Sequence, residues 1–280
     1  MIVFKIRYDK GGGDKSLGAR CGPKAIERAF QQVSWRGAED GTPHPELQWI
    51  RAATSPSCYR KRAESVFADT LMPFIALSGD NSCSFETVRI VAPYVRHVAL
   101  VVFDAHPDTC DSRHDPHAHW VRRLWDEGIV MPEKTIFFGI RDAEEVEMRY
   151  IKERQATLIT PDEIYGFHSR RVSPLEYISL WQPISVHGLV VVVDIDVLDP
   201  AYAPGTGVLR AGGLHVRHIM RIIRELCTLP FAIKAAEICE VIPKKGNALR
   251  PRFDKRPDPC NLTVLAAEAI FRQMIRSISA

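Results

Sequence analysis

Two short segments concentrate residue types able to hold metal ions. Asp104-Ala105-His106-Pro107-Asp108 and Asp194-Ile195-Asp196 carry four conspicuous aspartates at their ends, a fifth candidate ligand in His106, and a spacing of two residues throughout. In an extended chain, side chains at i, i+2 and i+4 point the same way, so the spacing predicts that each segment turns its ligands to one side. Carboxylates gathered without cations would cost several kcal/mol each in desolvation and repulsion. A pair of divalent cations would cancel that charge. Hard carboxylates with a single imidazole suit Mn2+ better than a thiolate-seeking zinc site, with Fe, Co and Zn still open. Two such ions, about 3.5–4 Å apart, can hold a bridging water as hydroxide and aim it at a polarised carbon. The implied chemistry is metal-assisted hydrolysis. The competing reading, in which each carboxylate independently caps a helix or closes a loop, suits a lone Asp-x-Asp better than two such segments.

Both segments directly follow continuously apolar runs, Val98–Phe103 and Leu189–Val193, of the kind expected of strands covered on both faces. Similar runs recur at about 2–7, 73–77, 134–139, 157–160 and 231–238. Helix candidates lie at 23–33, 59–71, 84–95, 118–127, 143–154, 174–181, 215–227 and 262–278. The alternation predicts a parallel α/β fold. In such sheets ligands bind at the carboxyl ends of strands, where both acidic segments fall. The Gly11-Gly12-Gly13 run carries no phosphate-loop pattern and reads as a flexible turn.

The bulk composition fits that picture. The 280 residues, 46% hydrophobic and 25% charged, predict one domain over 1–280 with a large core. A formal charge of +3, with no basic helical face interleaved with aromatics, excludes a nucleic-acid footprint and leaves a small-molecule partner. No apolar run is long enough to span a membrane, and the charged amino-terminal run reads as a strand rather than a targeting segment. Seven cysteines, with no Cys-x-x-Cys pair, read as reduced thiols in a cytoplasm.

In order along the chain, several further motifs join these two. They are Gly18-Ala19-Arg20-Cys21-Gly22-Pro23, Asp194 through Gly207 followed by Gly212-Gly213, and Glu237-Ile238-Cys239-Glu240-Val241-Ile242-Pro243. With Asp104-Ala105-His106-Pro107-Asp108, the set resembles the ureohydrolase family of arginases, agmatinases, guanidinobutyrases and formiminoglutamases. The resemblance implies a three-layer α/β/α fold with a central, mostly parallel sheet. It also implies hydrolysis of a linear guanidino or amidino compound, two Mn2+ ions, and assembly as a homotrimer or homohexamer. By position, Asp104 and Asp194 would bridge the ions, His106 and Asp196 would serve one, and Asp108 the other. Glu240 would face the amidine or guanidinium, which suits paired, charge-assisted hydrogen bonds. His119 would pass a proton to the leaving group, although His114 and His117 share its loop, and imidazoles titrate in the range that such work needs.

The chain departs from the family in two places near the metal motifs, and by a smaller change at Ile242, which stands for the usual asparagine near Glu240. Ser78-Gly79-Asp80-Asn81-Ser82 stands where the family has Gly-Gly-Asp-His-Ser, so Asn81 replaces a ligand histidine. A neutral amide oxygen binds first-row ions more weakly than imidazole, so the ion at Asn81 is expected to be the weaker. Trp120 takes the place of a glycine after His119, and the loop lacks the arginase pattern around an amino-acid substrate. That favours agmatine-like amines, guanidino acids or formimino compounds, with Arg113 available to meet a substrate carboxylate. Asn81 also keeps open a one-ion enzyme, a non-catalytic binding or oligomer subunit, and a hydroxyguanidine substrate. An arginase-fold deacetylase is a further alternative.

Overall fold

The computed structural model describes residues 1–32, 45–111, 114–166, 186–243 and 261–279. Among these residues, eight strands form one sheet: β1 (Ile2–Ile6), β2 (Gln48–Ala53), β3 (Phe74–Leu77), β4 (Val98–Phe103), β5 (Thr135–Phe138), β6 (Thr157–Ile159), β7 (Gly188–Asp194) and β8 (Ile233–Cys239). Their order across the sheet is β2-β1-β3-β8-β7-β4-β5-β6, and every pair is parallel.

Two apolar layers sandwich this sheet, as the uninterrupted apolar runs require. Along β4, Ala99, Val101 and Phe103 belong to one layer and Leu100 and Val102 to the other. Along β7, Leu189, Val191 and Val193 alternate with Val190 and Val192 in the same way. The first layer is closed by α1 (Gly22–Gln32) and by the helices α6 (Val216–Leu226) and α7 (Leu262–Ser279), through Ile26, Ile219, Ile223 and Ile270. The second is closed by α2 (Pro56–Phe67), α3 (Ser84–Val91), α4 (Trp120–Asp126) and α5 (Glu145–Glu153), through Tyr59, Val88, Leu124 and Ile151. Each fully buried valine of β7 contributes roughly 1.5 kcal/mol or more relative to exposure. The result is the three-layer α/β/α arrangement read from the sequence.

Two differences have physical causes. Strand β2 was not expected, because Gln48-Trp49-Ile50-Arg51 mixes polar and apolar residues; it pairs only with β1, at the sheet edge, where one side needs no apolar cover. Helix α2 begins at Pro56, three residues early, because Ser55 accepts the Cys58 backbone N–H as its cap and proline fits the first turn. The expected helix at 174–181 lies outside the described residues. No helix among the described residues is long and apolar enough to cross a membrane.

Candidate metal centre

The carboxyl ends of four neighbouring strands, β3, β8, β7 and β4, build the site. Register places Phe103 beside Val193 and Asp194 beside Cys239, so the residues that follow these strands meet at one edge. The ligands converge by turns rather than by strand alternation. Asp104 accepts the His106 backbone N–H at 2.7 Å, and Asp194 accepts that of Asp196 at 2.9 Å. Asp108 sits at φ 51 and Glu240 at φ 58, left-handed conformations costly for side chains of this kind. Such strain is held only where surrounding structure over-determines it.

The cluster of Asp104, His106 and Asp196 has its ligand atoms within 4.8 Å of one another. His106 Nδ1 stands 3.1 Å from Asp196 Oδ2 and 3.5 Å from Asp104 Oδ1, while Nε2 meets Asp142 Oδ2 at 3.2 Å. With Nε2–H given to Asp142, the Nδ1 lone pair is left for a cation, the usual way a carboxylate fixes a ligand tautomer. Asp196 is held from behind. Its Oδ1 accepts the Ala105 N–H at 3.1 Å, and its carbonyl accepts from the Arg141 guanidinium at 2.8 Å.

Asn81 lies in the turn after β3. Its Nδ2 donates toward Asp108 Oδ2 at 2.6 Å, Asp104 Oδ2 at 3.2 Å and Asp194 Oδ2 at 3.3 Å. Its Oδ1 accepts from Ser84 Oγ at 2.7 Å and from Cys239 Sγ at 3.2 Å. The Trp120 indole also donates to Asp108 Oδ2, at 2.7 Å. Glu240 is buried; its Oε1 accepts the Asn81 backbone N–H and the Ser16 hydroxyl, both at 2.9 Å, and its Oε2 has no hydrogen-bond partner.

Electrostatics mark the centre as short of positive charge. Burial, then the neighbouring Asp196 charge, pushes Asp104 up to about 7. Burial, then nearby acids, raises Asp108, Asp194 and Glu240 well above the carboxylate range. Burial disfavours a charged His106, yet hydrogen bonds to Asp104 and Asp196 carry it up to about 12. Burial works against Asp196 as well, but the His106 bond and charge hold its carboxyl below the usual range. A divalent cation among Asp104, His106 and Asp196 fits this donor set.

A cavity of about 680 Å³ opens over these groups, lined by Asn81, His106, Asp108, Asp194, Asp196 and Glu240. Its outer wall carries Lys15, Asp111, Asp115, His117, Asp142, Glu144, Glu147 and Arg210. Of the loop histidines, His117 lines this wall, whereas His119 is buried with Nδ1 at 2.6 Å from the Cys110 carbonyl. His114 is not among the lining residues. Arg113 lies outside the described residues.

Sequence reasoning missed several supports. Asp142 follows the end of β5, a strand-end acid like the others but with no paired ligand nearby to flag it. Gly11 and Gly12 are packed, and only Gly13 has open space beside it: Gly11 donates its N–H to Asp80 Oδ2 at 2.6 Å, and a Cβ there would lie 2.4 Å from Ser82 Oγ. At Gly79, a Cβ would lie 1.7 Å from the Tyr8 carbonyl oxygen. Glu237, fully buried beneath the site, accepts from Ser78 Oγ at 2.5 Å and Ser84 Oγ at 3.1 Å.

Burial pushes Glu237 up to about 7 from its ordinary 4.5, against the hydrogen bonds of Ser78, Thr87 and Ser84. Between those values the folded chain keeps a proton that the unfolded chain has released. Its stabilising contribution is therefore complete below 4.5 and lost as pH rises through about 7. Glu237→Gln is expected to flatten the decline of Tm between about pH 5 and about pH 8 by the equivalent of some 1–2 kcal/mol, read by calorimetry on metal-free protein.

The Arginase family model matches residues 1–275. An agmatinase from Halalkalibacterium halodurans is 25% identical over 268 residues, covering 94% of this chain and 82% of its own length. An agmatinase from Bacillus subtilis is 28% identical over 242 residues, covering 81% and 78%. Among solved structures, formimidoylglutamase from Bacillus subtilis superposes with a TM-score of 0.82 at 24% identity, over 99% of this chain and 85% of its own. Proclavaminate amidino hydrolase from Streptomyces clavuligerus does so with 0.78 at 24%, over 99% and 91%. Similarity along nearly the whole sequence, with the carboxylates assembled at the carboxyl ends of the central strands, leaves one family: the chain belongs to the arginase family, hydrolases acting on the C–N bonds of linear amidines.

Proposed function

We propose that this chain hydrolyses a linear guanidino or amidino compound with an amine-bearing tail, releasing urea or a related amide, with Mn2+ as its cation. The observation that carries this reading is Glu240, buried beside the ligand cluster with Oε2 unpartnered. A buried carboxylate oxygen without a donor is costly unless a cation comes to it, and a planar amidinium supplies two N–H donors in the matching geometry. The relatives' names, agmatinase above all, support a guanidino substrate.

A divalent cation held by Asp104, His106 and Asp196 would acidify water and polarise the amidine carbon. Glu240 holds the amidinium end, with Oε1 fixed by Asn81 and Ser16. Asp142 keeps the His106 ring oriented. His117, on the cavity wall, is placed to hand a proton to the leaving amine; His119, bound to the Cys110 carbonyl, positions the loop. Beyond the ligand cluster, Asp142 and Arg210 pair with each other, and the lining acids Asp111, Asp115, Glu144 and Glu147 outnumber Lys15, an acidic excess that attracts an ammonium tail over a carboxylate. Six cysteines among the described residues are free thiols, which supports a cytoplasmic setting, and the family supports a single-domain homo-oligomer.

Purified chain reconstituted with Mn2+ is expected to release urea from agmatine faster than it releases urea from 4-guanidinobutyrate or formamide from formiminoglutamate. Absence of urea, formamide or hydroxyurea from any guanidino, formimino or hydroxyguanidino compound of such a panel would overturn the reading.

A further inference from the structure

Asn81 and Trp120, two of the places where this chain departs from the family motifs, lie 39 positions apart in sequence yet donate to the same atom, Asp108 Oδ2. The Asn81 nitrogen draws one oxygen from each of three carboxylates, Asp104, Asp108 and Asp194, at 3.2, 2.6 and 3.3 Å. We infer that the chain is built for a single divalent cation, among Asp104, His106 and Asp196, and that the Asn81 amide with the Trp120 indole stands where a second ion would be.

Three observations carry the inference. First, the amide turns its nitrogen to carboxylate oxygens of Asp104, Asp108 and Asp194 and its oxygen to the Ser84 hydroxyl and Cys239 thiol; turned over, it would set oxygen against three oxygens that only accept. Second, an indole N–H is only ever a donor, and Trp120 is buried at 1% exposure, so it has nowhere to withdraw. With both N–H groups on it, Asp108 Oδ2 has its lone pairs engaged. Third, one cation neutralises two of the four carboxylates, and the N–H donors of Asn81 and Trp120 serve the remainder; hydrogen bonds to charged groups are worth about 1.5–3 kcal/mol each. Asp108 is then a structural acceptor and not a ligand.

The inference shares with the proposed function only the premise that the centre takes a divalent cation. Counting ions needs no substrate, so either can fail alone. Metal-free full-length protein, loaded with Mn2+ and passed through a desalting column, is expected to retain about one equivalent, with the hyperfine spectrum of an isolated ion. Asp108→Asn is expected to retain the same equivalent with affinity within about threefold, and Asp196→Asn to lose it. Two equivalents in the unmodified protein, an exchange-coupled spectrum, no retained metal, or loss of the ion from Asp108→Asn would each overturn it.

Discussion

Asp196→Ala is expected to lower kcat/KM for amidine hydrolysis by at least about 1000-fold, some 4 kcal/mol of barrier. Asp196 is the carboxylate nearest His106 Nδ1, and its second oxygen holds the Ala105 N–H. Removing it takes away a ligand and loosens the turn that presents His106. The local backbone should persist, because Arg141 binds the carbonyls of residues 196 and 198, at 2.8 and 3.2 Å, whatever the side chain. Kinetics with Mn2+ in excess, alongside circular dichroism, check both halves of the expectation. Ordinary turnover by a folded variant would remove Asp196 from the centre.

Glu240→Gln is expected to lower kcat/KM by about 100–1000-fold, the loss of a charge-assisted pair with the amidinium worth roughly 3–4 kcal/mol. Stability should move the other way. Glutamine keeps an acceptor for Asn81 and Ser16, and it removes a carboxyl that burial, with Asp80 close by, drives well above its ordinary range. A Tm equal to or above that of the parent, with activity lost, would mark Glu240 as a residue kept for substrate at the expense of stability. A fall in Tm with activity retained would place it in the scaffold instead.

Much of this centre was legible because strand ends and chemistry coincide. Two valine-rich runs ending in aspartate announced parallel strands with candidate ligands at their carboxyl ends, and the sheet bears out the parallel strands. The route of convergence was not legible: alternation along an extended chain predicts it, but side-chain-to-backbone turns at Asp104 and Asp194 produce it. The edge strand Gln48–Ala53 was missed because one-sided pairing relaxes the apolar pattern by which strands are recognised. Asn81 and Trp120 were visible as departures, yet nothing in sequence spacing brings them onto one oxygen. Contacts of that kind depend on which loops fold back, and only the three-dimensional arrangement fixes them.

The position of β8 has a consequence for how the molecule comes into being. Residues 233–239 run between β3 and β7, joining two parts of the sheet that do not otherwise touch strand to strand. A ribosome-bound chain that has emerged only through β7 carries two open, apolar sheet edges and no Glu240. The complete site therefore arrives late in synthesis, with the closing strand, and until then the nascent chain exposes unpaired strand edges of the kind that invite aggregation.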